Sequence, residues 1–189
     1  LLNAIEKQYG VPKEILVAIW GMETGFGSNS GNMNIFRSLA TLAYDCRRSE
    51  FFTNELNAAL MIVERGDKRP EDMKGAWAGE IGQTQFLASN YLRYAVDFDG
   101  DGHINIWSDP DDAIGSVANY FKQHGWVMGQ PVVSRASVRG EPVAEGLSPR
   151  IDPVKNVGQF RALGWSRPVA HRDDMPVTAF RFDGEFGPE

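Results

Sequence analysis

Ile15–Gly27, ILVAIWGMETGFG, sets a single carboxylate among apolar residues and glycines. The spacing predicts a helix entered through Pro12, with Ile15, Ile19, Met22 and Phe26 along one stripe and Leu16, Trp20 and Glu23 beside it. Glu23 is thereby expected to lean on an apolar face in the last turn, just before Gly25 and Gly27. The negative end of the helix dipole disfavours a second negative charge there, and burial beside Trp20 would act in the same direction. A carboxyl group that keeps its proton near neutral pH is what a general acid requires. For an isolated glutamate, a side chain swung into solvent is the simpler expectation, so the surrounding chain has to decide.

A chain of 189 residues can bury one real core, alone or with a smaller appendage, and 42% hydrophobic content suffices to fold it without staples. A formal net charge of -6 removes the electrostatic reason to bind nucleic acid or an anionic membrane and suits a neutral or weakly charged substrate. The single cysteine, Cys46, excludes an internal disulfide and a cysteine-based zinc site. No apolar run is long enough to span a membrane, and Leu1-Leu2-Asn3 does not read as a secretion signal.

Around the Glu23 helix, Leu1–Tyr9 reads as a short helix closed by Gly10, and Ser28–Asn34, SNSGNMN, as a polar loop. Phe36–Tyr44 and Glu50–Arg65 have helical periodicity, the second with Phe51, Leu56, Leu60 and Val63 turned inward. After a break at Gly66–Pro70 and a helical start at Glu71 comes KGAWAGEIGQTQF, Lys74–Phe86, whose three glycines, two glutamines and one tryptophan suit a cleft wall. Glycine lets backbone approach a ligand closely, and Gln83 and Gln85 each offer a donor and an acceptor to hydroxyl or acetamido groups. Trp77 is suited equally to stacking on a sugar and to core packing, and Glu80 is a second carboxylate in the same stretch.

A helix over Asn90–Val96 leads into DFDGDGHINIWSDPDD, Asp97–Asp112. With Asp97 as position one of a calcium loop, oxygen ligands fall at Asp97, Asp99 and Asp101 and the sharp turn at Gly102. His103 then offers its carbonyl, and Asn105 takes position nine. The pattern breaks at position twelve, where Ser108 replaces the bidentate Glu. A longer loop can close with Asp109, Asp111 or Asp112, and Asp112 is favoured because it opens the next helix, Ala113–His124. A zinc site through the His103 side chain lacks a partner His or Cys at usable spacing. From Gln130 onward, VVSRASVRGEPV and PVTAFRFDG read as short strands among Pro and Gly turns, with one helix over Val157–Leu163; Arg135, Arg139 and Arg150 read as solvated surface.

Taken together, GMETGFG, RSLATLAYD, WAGEIGQTQF, and YAVDFDGDGHINIW followed by DAIGSVANYFKQHGW resemble the lytic murein transglycosylase B family of bacterial cell-wall enzymes, in one order from about Val11 to Trp126. The resemblance implies a mainly α fold of the α+β kind: a lysozyme-like helical core with an EF-hand-like loop at 1–129, and a small strand-containing region at 130–189, expected to be truncated. It implies Glu23 as the single catalytic glutamate. Asp97, Asp99, Asp101, His103 and Asp112 would hold a structural calcium, with no organic cofactor, and Gln85 and Phe86 would look onto a saccharide cleft. Peptidoglycan glycan strands as partner, a monomer, and a periplasmic or cell-envelope location follow from the same likeness. The chain departs from the family at Ala76, where Ser is frequent, at Glu80, where a small or apolar residue is usual, at Leu87-Ala88 in place of Met-Pro, and by one residue inserted between Trp107 and Asp112. It is also expected to lack flanking segments at both ends.

In such an enzyme, protonated Glu23 would donate to the oxygen between N-acetylmuramic acid and N-acetylglucosamine. The carboxylate so formed would then take the proton of the muramyl C6 hydroxyl as it closes on C1. The nucleophile lies within the substrate, so no second acidic residue is obligatory. Two alternatives remain: a hydrolysing muramidase in which Glu80 or another acid activates water opposite Glu23, and a non-catalytic calcium-dependent wall-binding module. The second resembles dockerins in loop chemistry, though those pair two such loops and only one is present here.

Overall fold

Helix α1 (Leu2–Tyr9) stops at Gly10, whose φ of 72° lets its N–H turn back to the carbonyl of Glu6. Five further helices follow at or within a few residues of their expected positions: α2 (Lys13–Thr24), α3 (Ile35–Tyr44), α4 (Ser49–Glu64), α5 (Ala88–Tyr94) and α6 (Pro110–Gln123). Local chemistry sets their starts. The Asn34 side chain accepts the N–H of Arg37 at the head of α3, and Asp109 accepts that of Asp111 at the head of α6, where Pro110 occupies the first turn. Where a helical start was expected at Glu71 there is a single 3-10 turn, Pro70–Asp72.

This computed structural model describes residues 1–130, 136–138, 155–166, 173–177, 183–184 and 187–188. Two units separate, Leu1–Gly129 and Gln130–Glu189. In the first, α6 is the central element, buried continuously from Asp112 to Ala118. Ile5, Leu16, Ile35, Leu39, Ala59, Ile62, Tyr91 and Ile106 belong to the same core, each at most 1% exposed.

Of the residues of helix α4 expected inward, Phe51, Leu56 and Val63 are half-buried and pack against the core, while Leu60 is 52% exposed; Phe52, Glu55, Ala58, Ala59 and Ile62 are the buried ones. Two alanines let neighbouring helices approach, and the buried Glu55 has a task. Its carboxylate accepts the N–H of Ser89 at 2.9 Å and the hydroxyl of Ser89 at 2.6 Å, capping α5, whose own N-cap residue Leu87 has no side-chain acceptor.

Between α2 and α3, the expected Ser28–Asn34 loop ends in a short strand, β1 (Met33–Asn34). It pairs antiparallel with β2 (Lys74–Gly75), Met33 opposite Gly75. Gly75 and Phe86 each bridge to Ile81, which folds Lys74–Phe86 back on itself.

In the second unit β3 (Ser137–Val138) pairs with β5 (Trp165–Ser166), β4 (Lys155–Asn156) with β6 (Pro176–Val177), and β7 (Asp183–Gly184) with β8 (Gly187–Pro188). Helix α7 (Val157–Ala162) stands where a helix over Val157–Leu163 was expected, opened by a capping box between Asn156 and Gln159. The rest of the strands expected over 132–143 and 176–184, with Arg135, Arg139 and Arg150, lies outside the described residues. The fold is mainly helical with small strand pairs, as expected.

Gly75 is the position where this packing is most exposed to test. A Cβ there would overlap the carbonyl oxygen of Glu80 and lie 2.8 Å from the Ile35 side chain. Gly75→Ala is expected to destabilise the fold by about 3 kcal/mol, because backbone rather than a flexible side chain must yield. Urea unfolding measures this, and an unchanged midpoint would contradict so close an approach.

Candidate active site and acidic loop

Leu16, Trp20 and Thr24, four residues apart, form the inner edge of α2: Leu16 and Thr24 are buried and Trp20 is half-buried. The expected stripe fails at its end, since Met22 is 86% and Phe26 57% exposed. Hydrogen bonds, not hydrophobicity, orient this last turn. The Trp20 indole N–H donates to Oε1 of Gln83 at 2.9 Å, and the Thr24 hydroxyl to the carbonyl of Gln83 at 2.6 Å. Thr24 was not singled out from the sequence, and its register with Leu16 and Trp20 is the signal that finds it.

Glu23 is exposed, so the expected burial beside Trp20 is not found. It stands seven residues after Leu16, on the same helical face. That face is sealed in the core at Leu16 and open at Glu23. Beyond it the chain takes three consecutive left-handed residues, Gly25, Phe26 and Gly27, with φ of 58°, 61° and 80°. For Phe26 this conformation costs roughly 1–2 kcal/mol. The ring is held in return: it packs edge-on against Trp20, centroids 5.4 Å apart, and lies over Gly21, where a Cβ would stand 2.9 Å from its Cζ.

The four residues expected to contact substrate divide into two pairs. Trp77 is 68% exposed on a turn closed by the Gly79 N–H to Ala76 carbonyl bond, and Gln85 is half-buried. Among the described residues Gln85 is the other non-glycine with positive φ, 52°, and its amide donates to the carbonyls of Ser30 at 3.3 Å and Gly82 at 3.1 Å. Strained, over-determined positions of this kind concentrate at binding sites. Gln83 and Phe86, by contrast, are buried. Gln83 is 5% exposed with its amide oxygen engaged by Trp20. Phe86 is 7% exposed, its ring 5.9 Å from that of Tyr120 and its backbone paired with Ile81. Glu80 keeps one carboxylate oxygen shut off from solvent, with no hydrogen-bond partner among the described residues.

In the acidic loop, carboxylate oxygens of Asp97, Asp99 and Asp112 lie within 4.8 Å of one another. Asp112 is 1% exposed and suspends both arms of the loop, accepting the N–H of Phe98 and that of Asn105, each at 2.7 Å. Asp97 accepts from Gly100, Asp101 and Gly102. Asp101 is outside the cluster, its carboxylate accepting the N–H of His103 at 2.8 Å, and His103 is exposed.

The electrostatics are divided in the same way. Burial raises the pKa of Asp112, opposed by the N–H groups of Asn105 and Phe98 and aided by the charges of Asp109 and Asp97. For Asp97, desolvation is outweighed by hydrogen bonds from Gly102, Gly100, Asp99 and Asp101, and the value falls. For Asp99, the Asp101 N–H lowers it, but desolvation, Asp101, Asp109 and Asp97 together raise it. An all-oxygen, mutually repelling set of carboxylates fits a hard divalent cation.

The sequence matches the transglycosylase SLT domain family over residues 1–189. The membrane-bound lytic murein transglycosylase B of Escherichia coli (strain K12) is 44% identical over 183 residues, 96% of this chain and 49% of that protein. Among solved structures, the catenated lytic transglycosylase SltB1 from Pseudomonas aeruginosa superposes with a TM-score of 0.94 at 49% identity, covering 99% of this chain and 62% of that one. The Escherichia coli lytic transglycosylase Slt35 in complex with calcium does so with a TM-score of 0.84 at 41% identity, covering 99% and 59%. The chain thus spans about half the length of the curated relative it matches. By family match, identity and superposition alike, this chain belongs to the SLT-domain lytic transglycosylases.

Proposed function

We propose that this chain carries out the lytic transglycosylase reaction on peptidoglycan glycan strands, with Glu23 as its one acid and base. The observation that carries the reading is the placement of Glu23: exposed, at the end of a helix whose inner face is tied to the Gln83 segment. Glu23 would protonate the oxygen linking N-acetylmuramic acid to N-acetylglucosamine as the C1–O bond breaks. Its carboxylate would then accept the proton of the C6 hydroxyl as that oxygen bonds to C1, leaving a 1,6-anhydro sugar and a neutral Glu23. Trp77 offers a face for stacking and Gln85 an amide carbonyl for the sugar. The hydrolysing alternative would need a second carboxylate to activate water opposite Glu23, and the products distinguish it.

Asp97, Asp99 and Asp112, joined by Asp101 and the His103 carbonyl on small adjustments of the loop, would hold calcium. Its role is to neutralise charge and tie the arms of the loop together, with no part in the reaction. A location in the periplasm or cell envelope follows from the substrate and accords with the membrane-bound relative. No described helix is long and apolar enough to cross a membrane. The protein is proposed to act as a monomer.

Mass spectrometry of soluble products from purified peptidoglycan tests the reaction: the parent should release anhydro-muropeptides and Glu23→Gln should release none. Products heavier by one water, with reducing ends, would assign a hydrolase instead. Calcium at a hundred times its dissociation constant should stabilise the parent by about 2.7 kcal/mol in chelator-treated melts, and Asp99→Asn should lose most of that gain at the same concentration. An equal response of the variant would remove Asp99 from the ligand set.

A further inference from the structure

We infer that Thr24 is a positioning residue for Glu23, acting through the left-handed turn that closes α2; the inference rests on the reading of Glu23 as the acid. Thr24 is 3% exposed although it is the immediate neighbour of an exposed carboxyl group. Its hydroxyl donates to the Gln83 carbonyl at 2.6 Å and accepts the N–H of Gly27 at 2.9 Å. A hydroxyl has one proton to give, and the approach to the Trp20 carbonyl, at 3.4 Å, is the weaker claim on it. The Thr24 carbonyl accepts the Ser28 hydroxyl at 3.1 Å and the Asn29 N–H at 2.9 Å.

These bonds lead to groups that are themselves held. The Gln83 N–H donates to the Ile106 carbonyl at 2.9 Å, and its side-chain oxygen accepts from Trp20. The Gly27 N–H lies directly after the strained Phe26, so the bond to Thr24 closes the left-handed turn against unwinding. Thr24 thus joins the last turn of α2 to a segment 59 residues away, and Glu23 rides on that turn. Valine has nearly the same volume but neither donates nor accepts. It would leave the Gln83 carbonyl and Gly27 N–H without their partner and free the helix end to shift. A displacement near 1 Å at a reacting group costs on the order of a hundredfold in rate, while contacts elsewhere keep substrate affinity.

The test compares parent, Thr24→Val, Thr24→Ser and Glu23→Gln on a soluble, peptide-free glycan of alternating N-acetylglucosamine and N-acetylmuramic acid, following anhydro product well below each variant's melting temperature. Thr24→Val is expected to lower kcat about tenfold to a hundredfold with KM nearly unchanged, and Thr24→Ser to restore most of kcat. A lower melting temperature in Thr24→Val with the parent's kcat would overturn the inference, as would equal losses in Thr24→Val and Thr24→Ser. If Thr24→Val does not fold, Thr24→Ala against Thr24→Ser isolates the same hydroxyl. Glu23→Gln inactive beside a fully active Thr24→Val sinks the positioning role alone. Glu23→Gln as active as the parent, or a parent that releases no product, sinks the reading of Glu23 and the inference with it.

Discussion

The backbone of Lys74–Phe86 passes so near its neighbours at Gly75, Gly79 and Gly82 that a side chain is excluded at each, and the candidate site is arranged around that constraint. A Cβ at Gly79 would overlap the Leu39 side chain, and one at Gly82 would stand 2.6 Å from Ile106 Cγ1. What the segment lacks in apolar burial it supplies in hydrogen bonds. The Ile81 and Phe86 backbones exchange bonds of 2.8 and 3.0 Å, and the Gln83 N–H reaches Ile106. The four residues between Ile81 and Phe86 must reverse the chain in a confined space, which accounts for a left-handed Gln85 where glycine would be unstrained. A polar side chain is thereby held at the surface by a rigid backbone, the arrangement a binding site needs.

The acidic loop is joined to the same segment. Ile106, which accepts the Gln83 N–H, is fully buried and lies one residue beyond Asn105, itself hung from Asp112. Asp112 sits in the first turn of α6, where the helix dipole favours negative charge. That placement offsets part of the cost of burying a carboxylate, and two backbone donors offset more. Repulsion among Asp97, Asp99 and Asp112 is what remains, and it grows as each loses a proton. A divalent cation, as proposed, would relieve that repulsion directly, so the loop's order and the Ile106 anchor of the Lys74–Phe86 segment would share one cause.

Much of this was legible in the chain because helices announce themselves by period and by punctuation. Gly10 and Pro12 mark helix ends close to where the structure puts them, while the caps at Asn34 and Asp109 start their helices one and three residues before the expected Phe36 and Ala113. Faces were harder to read than helices. The inward face of α4 includes a glutamate, and no hydropathy pattern selects Glu55 over Leu60 without knowing that α5 arrives uncapped beside it. Gln83 and Gln85, two residues apart and identical in chemistry, have different surroundings because one bonds to Trp20 and the other to the Ser30 loop. That distinction depends on partners some sixty residues away. Phe86, placed by resemblance on the cleft, is turned to the core by its pairing with Ile81. The acidic loop was readable at Asp97 and Asp99 through alternate spacing, and at Asp112 because it was expected to open a helix, whose first turn it in fact occupies. Spacing alone does not convey that Asp101 caps the turn at His103 and leaves the cluster.

The exposure of Glu23 bears on how such an acid would work. Glu23 faces water in the free protein. Met22 and Phe26, its neighbours on the last turn of α2 and just beyond, are exposed as well, so the open end of the helix is apolar around a single acid. A glycan laid over it would cover apolar and acidic groups together, removing water from Glu23 only when the bond to be cleaved is present. Substrate would then complete the acid, and the binding free energy of sugar rings away from the scissile bond would offset the desolvation. A hydrolase gains less from such complete coverage, because it must keep one water at the reacting carbon. A reaction whose nucleophile is the substrate's own C6 hydroxyl has no water to keep, and an acid that becomes dry only under its substrate suits that chemistry.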